Sequence, residues 1–208
     1  MFEAAALKLA LIDLAREADI RFTVTPRQEA EIADLAARVE QLNPTPQPTV
    51  DALHLLAGRW RLLYGDVSLE RQATLRRLSF ARLPEVEVTV TGVYQEVSAD
   101  GAHYNSLVEF RVGELHGVQE SLGRFTAQPP NRINYSFAEA CVYPLERDLA
   151  EREFRAQLGV DSSACLRAPV DCDGWMDVTY LDNDLRLMRG SLRNLCIIVR
   201  DESPITSF

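Results

Sequence analysis

The C-terminal part of the chain alternates apolar and polar residues in the manner of antiparallel strands. Residues 175–181 and 185–189 alternate on either side of the acidic segment Asp182-Asn183-Asp184, and an apolar run at 195–200 follows. Because successive side chains of a strand point to opposite faces, this pattern is typical of half-buried strands. It predicts a β-hairpin with a tight acidic turn, followed by a third strand.

The same alternation recurs through the middle of the chain, where turn signals separate the apolar runs. Asp100-Gly101 and Pro129-Pro130-Asn131 are typical turn sequences. A series of about eight short strands at near-regular spacing indicates an antiparallel sandwich or a closed barrel. Besides the three C-terminal strands, we predict strands at residues 58–64, 86–95, 107–112, 118–125 and 132–137.

The N-terminal 49 residues follow a helical period instead. Leu7, Leu11 and Leu14 fall on one face of a predicted helix at 3–19. A second helix is expected from Pro26, because Thr25 can cap it and Gln28 occupies the capping-box position. Each helix must bury its apolar face against the other helix, the following domain or a membrane surface, and packing within the protein is the default.

A proline-rich segment at 43–49 separates these helices from the rest of the chain, because prolines cannot continue a helix. We therefore expect an N-terminal helical extension at 1–49 and a β domain at 50–208. Further expectations concern four segments inside the β domain. They are short or full helices at 50–57, 68–78 and 144–158, the last ending at Gly159, and a loop at 160–173.

The composition narrows the classes of function. A net charge of −9 disfavours binding to nucleic acid, which requires a basic surface. The 4 cysteines and 3 histidines show no metal-site spacing, so we expect no metal and no cofactor, and reduced, structural thiols. The sequence leaves open whether Cys165 and Cys172 form a disulfide.

No apolar run reaches membrane-spanning length, and no cleavable targeting segment is seen, which favours a cytoplasmic protein.

Four stretches resemble the PAP/fibrillin family of plastid-lipid-associated proteins in plants and cyanobacteria. The two most specific are LLAGRWRLLY at 55–64 and the block from Gly174 to Arg200; LNPTPQP at 42–48 and VYQ at 93–95 are shorter. The chain departs from the family pattern at Gly65, where a Thr is more usual, at Cys196, where Phe is more usual, and at 69–84 and 145–169, which show little similarity.

The resemblance implies a fold of mainly β structure with α: a lipocalin-like antiparallel β-barrel preceded by a helical N-terminal extension. It also implies binding or carrying of an apolar molecule such as a lipid, carotenoid, quinone or precursor. The expected location is peripheral to a thylakoid membrane or lipid droplet, and the expected role is not enzymatic. A barrel of eight strands has room for one small ligand. Inward-facing bulky side chains would line that space or fill it: Trp60, Leu62, Tyr64, Tyr94, Phe110, Tyr135 and Tyr180.

A second group of residues is expected to close the barrel or to border its mouth. Trp60 can stack under Arg200 of the last strand, with Arg189 as the competing partner, or it can simply be a core residue. The charged hairpin can bind a polar head group, or its acids can serve turn geometry alone. The closure and mouth candidates are Gly58, Asp182, Asp184, Arg186, Arg189 and Arg200.

Two other functions stay open. The helices could dock on a protein partner, which would make the chain an adaptor with a filled barrel. An enzyme acting on an isoprenoid is the third hypothesis, although none of the three histidines lies near a candidate nucleophile in a recognisable motif.

Overall fold

A computed structural model describes residues 2–65, 69–80, 82–98, 100–146, 148–190 and 194–203. Within these ranges, nine antiparallel strands form one sheet in the order β1-β9-β8-β7-β6-β5-β4-β3-β2. The strands are β1 Gly58–Gly65, β2 Gln72–Thr74, β3 Glu87–Val97, β4 Tyr104–Val112, β5 Leu115–Gln128, β6 Arg132–Pro144, β7 Arg167–Leu181, β8 Leu185–Gly190 and β9 Leu195–Asp201.

The sheet closes because β1 pairs on both sides. Trp60 is the register partner of Gln95 in β3 and of Arg200 in β9. β1 therefore joins β3 to β9 and closes the ring. The short β2 pairs with one end of β3, around Thr89. Neighbouring strands in an up-and-down order, closed into a ring, are the arrangement of lipocalin-like barrels. The predicted fold class is confirmed.

Helices account for the N-terminal part, as predicted. Thr25 caps α2 with its side chain, and Gln28 completes the capping box, which satisfies backbone N–H groups that the first turn leaves unpaired. The short α3 and α4 replace the single helix expected at 50–57. The helices are α1 Phe2–Ala18, α2 Pro26–Glu40, α3 Pro48–Asp51, α4 Leu53–Leu56, α5 Leu75–Leu78 and α6 Glu151–Leu158.

The apolar faces of α1 and α2 pack on the outside of the barrel. Leu11 and Ile32, both 0% exposed, share a cluster with strand residues such as Leu187 and Ile197. Ile20 in the connector forms a bridge to Tyr64 of β1. Three packing partners were considered for these apolar faces. In the structure the two helices pack on each other and on the β domain.

Three local predictions are wrong. The segment 68–78 holds β2 and the single turn α5 rather than one helix; residues 66–68 lie outside the described ranges. The helix expected at 144–158 begins only at Glu151, because Pro144 is the last residue of β6. The loop expected at 160–173 is a strand from Arg167 onward, where Ala168 and Val170 are buried against the core. Pro169 is tolerated there because it lies at a register shift between β6 and β7.

Candidate functional site: an apolar cavity in the barrel

The barrel interior contains an apolar cavity of about 350 Å³. Its wall comes from β1, β3, β4 and β9, and its outer end from β2, α5 and the residues beside them. Such a mostly apolar space with a few polar groups is typical of small-molecule sites. The lining residues are Leu62, Leu69, Ala73, Arg77, Leu78, Phe80, Val93, Gln95, Ser106, Val108, Cys196 and Ile198.

Trp60 lies one inward-facing position before Leu62 and is completely buried. The guanidinium carbon of Arg200 lies 4.2 Å from the centroid of its ring, and that of Arg186 lies 4.6 Å from it. The indole N–H donates to the carbonyl of Leu56 at 2.9 Å. Cation–π contacts with two cations and a satisfied N–H fix this side chain firmly. The structure shows both alternatives considered for Trp60 together, since the ring is a buried core residue and stacks on Arg200.

Arg200 joins several backbone segments at this closed end. It donates to the carbonyls of Ala57 at 2.8 Å and Leu55 at 2.7 Å, and also to the carbonyl of Asn183. A Cβ atom on Gly58 would lie 2.6 Å from Nη1 of Arg200, and the φ angle of Gly58 is +119°. A glycine is required there on both grounds. Gly58 and Arg200 thus form part of the barrel closure.

Arg186 lies inside the barrel and is 0% exposed. Its Nη2 donates to Oε1 of Gln95 at 2.5 Å. Its Nε and Nη1 have no hydrogen-bond partner among the described residues. Burial lowers the pKa of Arg186 to about 10, because the low-dielectric interior disfavours the charged form. A buried cation next to the cavity wall is therefore the main charged group of the interior.

An aromatic cluster fills the barrel beside the cavity. The ring of Tyr104 stacks on that of Tyr135 with centroids 5.7 Å apart, and Phe137 lies 5.3 Å from Tyr135. Phe80 extends the cluster to the cavity, since its ring stacks on Phe137 at 6.3 Å. These contacts connect the cavity lining to a rigid aromatic wall.

Phe80 lies at the outer end of the cavity in an unusual backbone conformation. Its φ angle is +54°, and 45% of its surface is exposed. Positive φ is common for Gly and tolerated by Asn, but it is rare for a bulky residue such as Phe. The apolar ring is thus held at the border between the cavity and solvent.

The predicted lining residues divide between three places. Trp60 and Phe110 belong to the interior cluster, and Leu62 and Tyr135 pack against it. Tyr64 and Tyr180 lie in the cluster beneath α1 and α2, and Tyr94 lies in a small third cluster with Leu107 and Val118. Among these seven residues, Leu62 alone contacts the cavity.

Single-residue bulges explain why Tyr64 and Tyr180 leave the interior. The register shifts between Leu62 and Tyr64 in β1, and between Val178 and Tyr180 in β7. A bulge inserts one residue and reverses the alternation beyond it. Both tyrosines therefore face the helices, although simple alternation places them inside.

The remaining hairpin charges hold the helices. Lys8 of α1 lies 2.6 Å from Asp182 and 3.3 Å from Asp184. Arg189 pairs with Glu40 of α2 at 2.7 Å, so it is not the partner of Trp60. The structure places these three hairpin residues at the barrel–helix contact.

Sequence reasoning missed most of the cavity wall. Gln95, Ser106 and Cys196 line the cavity, although a polar or small residue on a strand carries no signal of facing a cavity. Phe80 was missed because it follows the helix predicted at 68–78, in a short stretch with no strand alternation. Two of these residues had a signal from the family resemblance: Gln95 belongs to the VYQ stretch at 93–95, and Cys196 departs from the usual Phe in the C-terminal block.

Every helix in the described ranges is too short or too polar to span a lipid bilayer. No three His, Cys, Asp or Glu side chains come together there in a way that could hold a metal ion. All four cysteines are free, so Cys165 and Cys172 form no disulfide.

A ring of antiparallel strands around an apolar cavity defines a lipocalin-like barrel protein. The PAP_fibrillin family model matches residues 5–199, and the chain belongs to that family.

Relatives with descriptive names include the probable plastid-lipid-associated protein 3 of Oryza sativa subsp. japonica, which is 27% identical over 96% of this chain and 59% of its own length. Plastid lipid-associated protein 2 of Brassica campestris is 27% identical over 98% of this chain and 71% of its own length. The chromoplast-specific carotenoid-associated protein C1 of an Oncidium hybrid is 24% identical over 96% of this chain and 70% of its own length. The chain thus spans less than two thirds of the rice protein. Among solved structures, a lipocalin-like protein from Bacteroides uniformis matches 71% of this chain and 99% of its own, with a TM-score of 0.35 and 12% identity.

Proposed function

We propose that the protein binds one apolar lipid or isoprenoid molecule in the barrel cavity, as a carrier or store associated with photosynthetic membranes or lipid droplets. The cavity itself supports the proposal most directly: about 350 Å³, walled mainly by Leu, Val, Ile, Ala and Phe side chains. Ligand sites of proteins span about 300–1,000 Å³. The names of the relatives, which include lipid- and carotenoid-associated proteins, agree with an apolar ligand.

The size of the cavity restricts the ligand. A volume of about 350 Å³ lies near the lower end of the range for such sites. It suits a single acyl chain, a short isoprenoid or a quinone ring. A full-length carotenoid would be held by one end only, with the remainder passing Phe80 into solvent or into a membrane.

The other two hypotheses receive less support. The helix faces that an adaptor would offer to a partner are buried against β8 and β9. The interior groups near the cavity are a guanidinium, an amide, hydroxyls and a thiol, and among the described residues they do not form a nucleophile–base pair. We therefore propose binding without catalysis.

Extraction of the purified protein with organic solvent, followed by mass spectrometry, tests the proposal. We expect about one apolar molecule per chain. A parallel titration uses the Trp175→Phe variant, which leaves Trp60 as the only tryptophan of the two in the chain. Trp60 fluorescence should change on addition of dodecanol or a short-chain quinone. No extracted lipid together with no change in fluorescence would contradict the proposal.

A further inference from the structure

Three buried polar atoms of the interior have no hydrogen-bond partner among the described residues. They are Nε and Nη1 of Arg186 and the hydroxyl oxygen of Tyr104. Arg186 is 0% exposed and Tyr104 is 2% exposed. Buried polar groups are nearly always paired, because an unpaired one forfeits its hydration without compensation. Three such atoms in one barrel interior indicate a missing acceptor.

Gln95 is a common neighbour of the two side chains that carry these atoms. Burial raises the pKa of Tyr104, and the Arg186 guanidinium and the Gln95 amide act in the opposite direction, although Gln95 does not meet the geometry of a hydrogen bond to the Tyr104 hydroxyl. Gln95 is hydrogen-bonded to Arg186. The cross-strand register places Gln95 of β3 opposite Ser106 of β4, two residues along from Tyr104. The group formed by Arg186, Gln95 and Tyr104, which we call the polar triad, thus presents a cation, an amide and a hydroxyl to one region.

The polar triad adjoins the cavity. Gln95 and Ser106 both line it. Arg186 lies behind Gln95 and donates a hydrogen bond to its side chain. The opposite end of the cavity is formed by Phe80, Leu78 and Leu69. The cavity therefore has a polar inner end and an outer end that is apolar apart from Arg77, which pairs with Glu70.

Stacking on Trp60 does not account for Arg186. The contact of 4.6 Å to the ring centroid uses the face of the guanidinium, whereas the unpaired N–H groups project from its edge. Burial and the neighbouring Arg200 cation lower the pKa of Arg186, and no carboxylate of the described residues offsets them. A planar guanidinium with free N–H donors suits a carboxylate better than any other common lipid head group of this size.

We propose that the cavity binds a single-chain amphiphile with a carboxylate head, such as a fatty acid, with the head at Arg186 and Tyr104 and the chain directed toward Phe80. This inference rests on the proposed function and adds the class and orientation of the ligand. The side chain of Gln95 turns aside or donates its amide N–H to the same carboxylate. The bound head supplies the acceptor that the three buried atoms lack.

Matched ligands and variants test this orientation. Dodecanoic acid and dodecanol share one chain and differ in the head group, and both are titrated against Trp60 fluorescence in the Trp175→Phe background at neutral pH. We expect the acid to bind about 10- to 100-fold more tightly, the range that charge-assisted hydrogen bonds provide. The Tyr104→Phe and Arg186→Met variants should lose most of that preference and still bind the alcohol.

Tyr104→Phe keeps the aromatic stacking and removes an unpaired hydroxyl, so this variant should fold at least as stably as the parent protein. Tyr104→Phe therefore tests the position of the carboxylate head even if Arg186→Met fails to fold. Arg77→Met is the control at the cavity lining near Phe80, and the preference for the acid should survive it.

Equal affinity for acid and alcohol in the parent protein would overturn the inference. So would a preference that persists in Tyr104→Phe and is lost in Arg77→Met, because the head would then lie at the outer end. Binding of the alcohol in either case leaves the proposed function intact, whereas failure of both ligands to bind would contradict the proposed function itself.

Discussion

The guanidinium carbon of Arg200, near the end of the last strand, lies 4.2 Å from the centroid of the Trp60 ring in the first strand. The two residues are also register partners in the β1–β9 ladder. Arg200 further donates to carbonyls at the end of α4. The contact therefore joins the two ends of the barrel sheet and the segment that enters it, and it closes the side of the interior opposite to Phe80.

Replacement of Trp60 by Ala should destabilise the protein by about 3–5 kcal/mol, the usual cost of removing a large buried aromatic side chain. The indole fills the closed end and pairs with Leu56 through its N–H. Denaturant unfolding followed by far-UV circular dichroism measures the loss. Trp175→Ala is the matched control, since Trp175 is only half-buried, and it should cost much less. Equal losses in the two variants would show that Trp60 does not hold the closure.

The ion pair between Arg59 and Glu96 gives a second prediction. Nη1 of Arg59 lies 2.6 Å from Oε1 of Glu96, and the two side chains are 6% and 0% exposed. Removing one partner of a buried pair usually costs about 3–5 kcal/mol. Glu109 and Asp201 also contact Arg59, so we expect Glu96→Gln to fall near the lower end, about 3 kcal/mol.

Urea unfolding of Glu96→Gln checks this value against Glu151→Gln. Glu151 makes an exposed ion pair with Arg155 on α6, and pairs of that kind contribute little. A Glu96→Gln protein as stable as the Glu151→Gln protein would contradict the assigned role of the β1–β3 contact.

The attachment of α1 should depend on pH through Asp182. Burial acts to raise the pKa of Asp182, but hydrogen bonds from Lys8 and from the backbone of Asp184 outweigh it, and the pKa lies below its usual range. Because the folded-state pKa is lowered, the ionised group stabilises the fold above the ordinary carboxyl pKa of about 3.9. That contribution is lost as the pH falls through the lowered value.

Asp182→Asn removes this contribution at every pH. The melting temperature of the variant should therefore lie below that of the parent protein at about pH 6, and the difference should shrink below about pH 4. Thermal melts across this range measure it. A difference that stays constant down to acid pH would show that the pair with Lys8 does not stabilise the helix.

Phe80 should control the rate of ligand entry. Its ring borders the cavity, and its φ angle of +54° is one that Asn tolerates better. Phe80→Asn should accelerate both association and dissociation of dodecanol, measured by stopped-flow fluorescence, with little effect on stability, because relief of backbone strain offsets the lost stacking. Leu9→Asn is the control, since Leu9 is 60% exposed on α1. Unchanged rates in Phe80→Asn would place the entrance elsewhere.

Local pattern was sufficient for most of the strands and for the capped helix α2, because each follows from nearby residue spacing. The contact of Trp60 with Arg200 was expected instead from the way lipocalin-like barrels close. Local pattern failed where one residue alters the register. The bulge after Leu62 turns Tyr64 outward, and nothing in the alternation announces an extra residue. It failed again at Pro144 and Pro169, since a proline at a strand end or bulge looks the same in sequence as one in a loop.

The cavity was beyond local pattern for a different reason. Its wall combines Leu62, Gln95, Ser106 and Cys196 from four strands, and a space between them depends on the summed volume of side chains that are far apart in sequence. Arg186 could not be recognised as an interior residue either, because an Arg in a charged hairpin is typical of a surface position. Its unpaired N–H groups inside the barrel become evident only when the strands around them are in place.

Cys196 offers the most direct test of the central claim that the cavity binds an apolar molecule. Cys196 lines the cavity, so a Cys196→Phe side chain would occupy the space, whereas Cys165 is exposed and Cys165→Phe makes the same chemical change elsewhere. Calorimetric titration with dodecanol compares the two. We predict binding of about one molecule by the parent protein and by Cys165→Phe, and at least a tenfold loss of affinity in a folded Cys196→Phe protein, which corresponds to about 1.4 kcal/mol. Equal binding by both variants would contradict the account.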